Sequence, residues 1–350
     1  MRALIPFTAL ALVFSTPGAF AAGSSVLDQN GTDNQATLDQ TGPDHQAIQT
    51  QNGVRLSSDI TQSGVGQSAL SEQSAYDSQI VIEQSGGGNY GAVYQLAAES
   101  DAVGLAQSGF ANSAIIRQEL LGYDIQIGNT ANVSQSGDGN IAEVLQDGTA
   151  NRLDASAVGN GNSLQSTQSG FGTTATVYQL GDGNAVVVNQ DFSGSAKLTQ
   201  NGNDNRLALV QGGLENPKAT LSQTGNGNQI DAQVQHKFNE LNFAQNGDGN
   251  SLWVEQSGRG GQASGASVGN DNSASLSVDG DNYVVSITQN GDANLASLNS
   301  SGLDNLASIV QAGSTNQASI SQVGGFDSYN PQTARITQTG DGNIASISQR

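Results

Sequence analysis

The stretch Gln338-Thr-Gly-Asp-Gly-Asn-Ile-Ala-Ser-Ile-Ser-Gln349 decides the fold. Take its first Gln as position 0. Gly then stands at +2, Asn at +5, Ala at +7, Ile at +9 and the next Gln at +11. Positions +5, +7, +9 and +11 differ by two, so in an extended chain their side chains share one face, and the intervening Ser346 and Ser348 share the other. No such stretch shows the 3.6-residue apolar spacing of a helix. Gly-Asp-Gly-Asn supplies residues that tolerate positive φ, which a tight arc between two strands demands.

Working outward, the same unit recurs along the chain. Gln29, Gln40, Gln51, Gln62, Gln73, Gln84 and Gln95 follow one another at eleven-residue spacing. Further copies begin at Gln135 (Gly137, Asn140, Gln146), Gln179 (Gly181, Asn184, Gln190) and Gln311 (Gly313, Asn316, Gln322). Gly-Asp-Gly-Asn arcs recur at Gly137, Gly181, Gly247 and Gly340. A fixed period of this kind is the signature of a repeat architecture. Each unit reads as one strand and one arc, and two units make a flattened coil of 22 residues. A single coil cannot bury its inner face, so coils must stack, which predicts an all-β solenoid with about 15 coils.

Half of the predicted inner face is amide, and an unpaired buried amide costs free energy. Stacking answers this if each amide donates to the identical amide one coil away, forming ladders along the axis. The Gln ladders are expected at Gln29, Gln40, Gln51, Gln62, Gln73, Gln84, Gln95, Gln118, Gln135, Gln146, Gln179, Gln190, Gln256, Gln311, Gln322 and Gln349. The Asn ladders are expected at Asn34, Asn112, Asn140, Asn184, Asn250, Asn305, Asn316 and Asn343. Gly31, Gly137, Gly181, Gly247, Gly313 and Gly340 are the arc glycines. The amides are therefore core, not a binding site. Trp253, at +8, is expected to face outward alone.

The phase slips around 97–101, 119–132, 236–242 and 324–335. These slips read as loops bulging from arcs. A rival reading is deliberate weakening that restrains self-association before export.

Residues 1–21 are laid out as a secretory signal peptide. Met1-Arg2 is basic, the stretch to Phe14 is largely apolar, and Ala19-Phe20-Ala21 is a small-x-small cleavage site. Residues 22–28 form a short segment, and 29–350 the repeat solenoid. No later stretch approaches the roughly 18 apolar residues of a transmembrane helix. Removal of Arg2 with the signal leaves ten basic against 31 acidic residues, a net charge near −21. That argues against a nucleic-acid partner and against anionic membrane surfaces. There is no Cys and only His45 and His236, so neither disulfides nor a structural zinc site is expected. No cofactor is expected. A phosphate loop needs a following helix, and here a strand follows. Calcium β-rolls repeat every nine residues, and Asp fills +3 only at some units (Asp138, Asp182, Asp248, Asp292, Asp341). No catalytic triad or sugar-stacking groove is legible, so an enzyme is not expected.

The pattern Gln-x-Gly-x-Gly-Asn-x-Ala-x-x-x-Gln, at Gln135 to Gln146 and again at Gln338 to Gln349, resembles the curlin repeat of bacterial curli subunits. The resemblance covers 29–349. It implies a secreted subunit of an extracellular functional-amyloid fibre of a biofilm matrix, supporting adhesion and aggregation. It also implies homopolymer formation, a nucleator or major-subunit partner, and export through an outer-membrane pore. The chain is longer than five-repeat curlins. Its end, Ile347-Ser-Gln-Arg350, is similar to the nucleator, whereas the acidic balance is similar to the major subunit. The rival class is a monomeric secreted β-solenoid adhesin for carbohydrate or ice.

Overall fold

The computed structural model describes residues 23–119, 128–324 and 331–350. The expected signal peptide, and parts of the slips at 119–132 and 324–335, lie outside the described residues. The described chain is all-β, with strands numbered β1 to β29 in chain order and no helix among them. Among the described residues no helix is long and apolar enough to cross a membrane.

The chain divides into two compact units, Met1–Phe171 and Gly172–Arg350. The first runs from β1 (Ser24–Thr32) and β2 (Gln35–Thr41) to β13 (Ser163–Phe171). The second runs from β14 (Thr174–Leu180) to β28 (Thr333–Thr339) and β29 (Ile344–Gln349). Within each unit the odd-numbered strands form one parallel sheet and the even-numbered strands another. Each strand pairs with the strand two further along, so each unit is a β-solenoid of two-strand coils. The usual register step is 22 residues, as in Gln29↔Gln51 and Gln40↔Gln62. It becomes 23 at Gln84↔Gln107, 28 at Gln107↔Gln135 and 27 at Gln311↔Gln338, where the phase slips. Even there the Gln positions stay aligned, because a one-residue shift would turn the inner face outward.

Burial alternates along the strands. Leu252, Val254 and Gln256 are buried while Ser251, Trp253 and Glu255 are exposed. The same holds for Ala307, Ile309 and Gln311 against Leu306. Each fully buried Leu or Ile at +9 contributes about 1.5–3 kcal/mol of transfer free energy. The first strand begins at Ser24, ahead of the first repeat Gln.

Two sets of arcs join the sheets. Arcs running from an even to an odd strand have four residues throughout the second unit, as at 181–184 and 340–343, and four or two in the first, where longer strands shorten the arcs at 66–67, 88–89 and 111–112. Arcs running from odd to even vary. They include 192–194, 213–217 and 324–332, and all four phase slips fall among them. The arc glycines combine two demands. Gly137 sits at φ 114°, and a Cβ on it would lie 2.2 Å from the carbonyl oxygen of Gly159 in the next coil. Gly340, in the last arc, keeps a φ of 96° but has only Asn343 Nδ2, 3.7 Å away, near such a Cβ.

Candidate functional site: amide columns and open edges

The Gln residues form columns down both sheets. In the first unit, Gln29 Nε2 donates to Gln51 Oε1 at 2.6 Å, Gln51 to Gln73 at 2.9 Å, and Gln73 to Gln95 at 2.8 Å. The column continues from Gln95 to Gln118, Gln146 and Gln168. The other sheet carries Gln40, Gln62, Gln84, Gln107 and Gln135 in the same way. The second hydrogen of most interior Nε2 groups goes to a backbone carbonyl, as from Gln62 to Gln46 and from Gln84 to Ser68, both at 3.0 Å. Both donors of the buried amide are thereby used.

In the second unit, Gln179 donates to Gln200, and Gln190 to Gln211. Gln311 donates to Gln338, and Gln322 to Gln349. Gln256 is different. Its register neighbours are Val234 and Val278, so it meets no amide above or below. Its Nε2 donates to Glu240 and Gly261 carbonyls, and its Oε1 is buried without a partner.

The Asn residues at +5 form a second kind of column, in the arcs. In the even-to-odd arcs of the second unit the position is Asn184, Asn205, Asn228, Asn250, Asn272, Asn294, Asn316 and Asn343. Asn250 is typical. Its backbone N–H and its Nδ2 both donate to Asn228 Oδ1 at 3.0 Å, and Nδ2 also reaches the Gly269 carbonyl at 2.7 Å. Asn272 then makes the same two bonds to Asn250 Oδ1 at 3.1 Å. In the first unit Asn112 and Asn140 repeat the pattern, and the column begins at His45, whose Nδ1 accepts from the Gln67 N–H.

The two columns donate in opposite directions. Gln Nε2 donates to the next Gln toward the C-terminal end of the stack, whereas Asn N–H and one Nδ2 hydrogen donate to the preceding Asn toward the N-terminal end, the other Nδ2 hydrogen reaching a glycine carbonyl on the C-terminal side. The repeat alone does not specify this; it follows from the Asn side chain being short enough to share its acceptor with the adjacent backbone N–H.

The odd-to-even arcs carry no such run. In the second unit the +5 positions hold Gly194, Pro217, Asn239, Gly261, Tyr283, Asn305 and Gln332. Tyr283 is fully buried. Its ring occupies the space above Gly261, where a Cβ would come within 2.0 Å of Cζ. One strand on, a Cβ at Gly265 would come within 2.5 Å of Phe243 Cε2. A Gly-rich coil thus accommodates aromatic rings from both neighbours. Burial raises the Tyr283 phenol above its usual range, and an interaction with the Gln256 side chain offsets part of the rise. Asn305 donates to the Ser301 carbonyl at 2.7 Å, while its Oδ1 stays buried and unpaired.

In the first unit the odd-to-even column runs Asn34, Leu56, Ser78, Asp101, Asn129 and Asn151. Asp101 takes the Asn role with a carboxylate. Its N–H donates to Ser78 Oγ and its Oδ1 accepts from the Asn129 N–H at 2.6 Å, but Oδ2 is buried without a partner. Burial pushes this carboxyl up to about 7, and the Asn129 hydrogen bond offsets part of the rise. Sequence reading missed Asp101 because the insertion moves it one place off phase. It missed the Tyr283–Gly261 pair because it tracked identities within a unit and not volumes across coils.

At the ends the same columns come to the surface. Asn343, Ala345, Ile347 and Gln349 are half-buried where their interior counterparts are buried, and β1 and β2 are exposed along most of their length. No group of three or more His, Cys, Asp or Glu among the described residues is placed to hold a metal. No protein-family model matches the chain, and no curated protein is significantly similar to it.

Proposed function

We propose that the chain is a secreted structural subunit that self-assembles into extracellular, curli-like amyloid fibres at a bacterial cell surface. In a biofilm matrix such fibres would support adhesion and aggregation. The role is mechanical, with no reaction to catalyse and no cofactor. The observation that carries this reading is the pair of open edges. Among the described residues each stack ends on a strand with no further strand paired beyond it, which leaves backbone groups unpaired, the kind of edge monomeric solenoids cover with a capping element. A second copy can continue the parallel ladder and the amide columns there, and stacking of that kind is the bonding pattern of cross-β fibres. The repeat resemblance adds a nucleator or major-subunit partner and an outer-membrane pore as the accompanying machinery.

The test is incubation of the chain lacking residues 1–21. Thioflavin-positive fibres with reflections near about 4.7 Å and about 10 Å are expected. A protein that stays monomeric for days at high concentration overturns the reading. If that monomer binds ice or polysaccharide, the adhesin class takes its place.

A further inference from the structure

We propose that copies of the chain join in one polarity only and with a half-coil step, so that the odd sheet of one copy continues the even sheet of its neighbour. This rests on the fibre reading above and adds the register and direction of the junction.

The polarity argument comes from the amide columns. At the C-terminal edge, Gln338 and Gln349 each spend one Nε2 hydrogen on a backbone carbonyl, Gln317 at 2.9 Å and Thr333 at 3.0 Å. The other hydrogen, which interior members such as Gln51, Gln73 and Gln311 give to the next Gln, has no such partner at the edge. At the N-terminal edge, Gln29 Oε1 accepts nothing and Gln40 Oε1 accepts only the Ser25 hydroxyl, at 3.0 Å. The Asn position is reversed. Asn343 Oδ1 faces outward with no donor, while Asn34 uses its Nδ2 on the Asn30 and Gly53 carbonyls and leaves its backbone N–H free. Opposite ends therefore match donor to acceptor at all three positions. Like ends would set Gln donors against Gln donors and Asn343 Oδ1 against itself, leaving buried groups unpaired. Charge agrees. Arg335 lies on the edge strand β28 and Arg350 directly follows β29, while Asp28 and Asp39 lie on the N-terminal edge strands.

The step argument comes from the spiral. Successive strands climb half a coil, so β29 stands half a coil beyond β28, and β2 half a coil beyond β1. The two steps mate only with β1 over β28 and β2 over β29. That places Gln29 over Gln338, Asn34 over Asn343 and Gln40 over Gln349. Setting β1 over β29 instead leaves a one-strand gap of about 4.8 Å above β28. In the mated register the variable odd-to-even arcs of one copy continue the uniform even-to-odd arcs of the next.

The chain has no cysteine, so engineered thiols report the junction directly. Asp28, Thr337 and Ser348 are exposed on outer faces. In the proposed register Asp28 lies beside Thr337, within disulfide reach between parallel neighbours. Fibres of Asp28→Cys with Thr337→Cys should oxidise to covalent multimers at least about tenfold more than Asp28→Cys with Ser348→Cys, or Thr337→Cys alone. Preferential linking in the Ser348 pair overturns the half-coil step, and efficient linking of the single variant overturns the polarity. Both results leave the fibre reading standing. Isotope-mixed wild-type fibres give the same decision without substitution, through intermolecular contacts of Asp28 to Thr337 or to Ser348. A chain that forms no fibres removes both proposals together.

Discussion

Asn250 and Tyr283 hold the same repeat position on opposite edges of neighbouring coils, and their surroundings show two ways to build one fold. Asn250 belongs to an unbroken column in which each member satisfies the backbone of the next. A member that changes there strands groups on both sides, so the column holds only if nearly all of it is Asn. Tyr283 stands where no such column exists. Its neighbours are Gly261 and Asn305, and what must match is volume, not hydrogen bonding. Once the amide chain is broken, further change at that edge costs less. The insertions, short arcs and bulky residues accumulate along it. The regular edge is held by mutual dependence and the variable edge by local compensation.

The sharpest way to break this comparison is to restore the repeat residue at the compensated site. Gly261→Asn brings back the consensus amide but puts a Cβ inside the Tyr283 ring. Overpacking of this kind costs about 1–3 kcal/mol or more, and here the upper end or beyond is expected because neither ring nor coil has room to yield. The double variant Gly261→Asn with Tyr283→Asn should recover much of the loss by giving Asn239 and Asn305 amide neighbours. Thermal or denaturant unfolding measures it. A harmless single variant, or a double variant as unstable as the single, would show that volume does not govern this edge.

Asp101 offers a second break, with a pH signature. Its carboxyl ordinarily titrates near 3.9 and in the fold near about 7, so the folded state holds the proton more tightly. The stabilisation is therefore full below about pH 4 and lost as pH rises through about 7. Three units correspond to roughly 4 kcal/mol as an upper bound. Asp101→Asn keeps an acceptor for the Asn129 N–H and replaces the orphan oxygen with a donor. It should stabilise the protein at pH 8 by a few kcal/mol and flatten its stability between pH 4 and 7. Equal stabilities of the two proteins at pH 8 would refute this.

The all-β solenoid and its 22-residue coil were legible because Gln at +11 and the alternating inner face are local, periodic signals. The Gln29-to-Gln95 series alone aligns seven successive strands. Direction was not legible. Whether Gln349 or Asn343 presents a donor at the edge depends on which backbone groups lie beside each amide, and spacing carries no such information. The even-versus-odd contrast could have been found by sorting arcs by parity, since every phase slip falls on one side. Gly261 and Tyr283 could have been found by comparing residues 22 apart for a small–large exchange. Asp101 could not, because its burial depends on how the chain absorbs an inserted residue.

The last comparison sets two buried asparagines against each other and is expected to be the smallest in size. Asn250 and Asn305 are both at +5 and nearly inaccessible. Truncating either to Ala removes the same atoms and leaves a similar void, so the cavity contribution nearly cancels between them. The hydrogen bonds do not cancel. Asn250→Ala strands the Asn272 N–H and Nδ2 and takes a donor from the Gly269 carbonyl. Asn305→Ala strands only the Ser301 carbonyl and removes an Oδ1 that already lacked a partner. An unsatisfied buried group costs about 1–3 kcal/mol, so the Asn250 variant should be the less stable by about 1–3 kcal/mol once relaxation is allowed for. Amide exchange adds a local readout: the Asn272 N–H should lose protection in Asn250→Ala, while the N–H at Gln332 should be unchanged in Asn305→Ala. Equal destabilisation by the two substitutions would mean that the column adds nothing beyond its individual side chains, and the uniform edge would then need a cause outside hydrogen bonding.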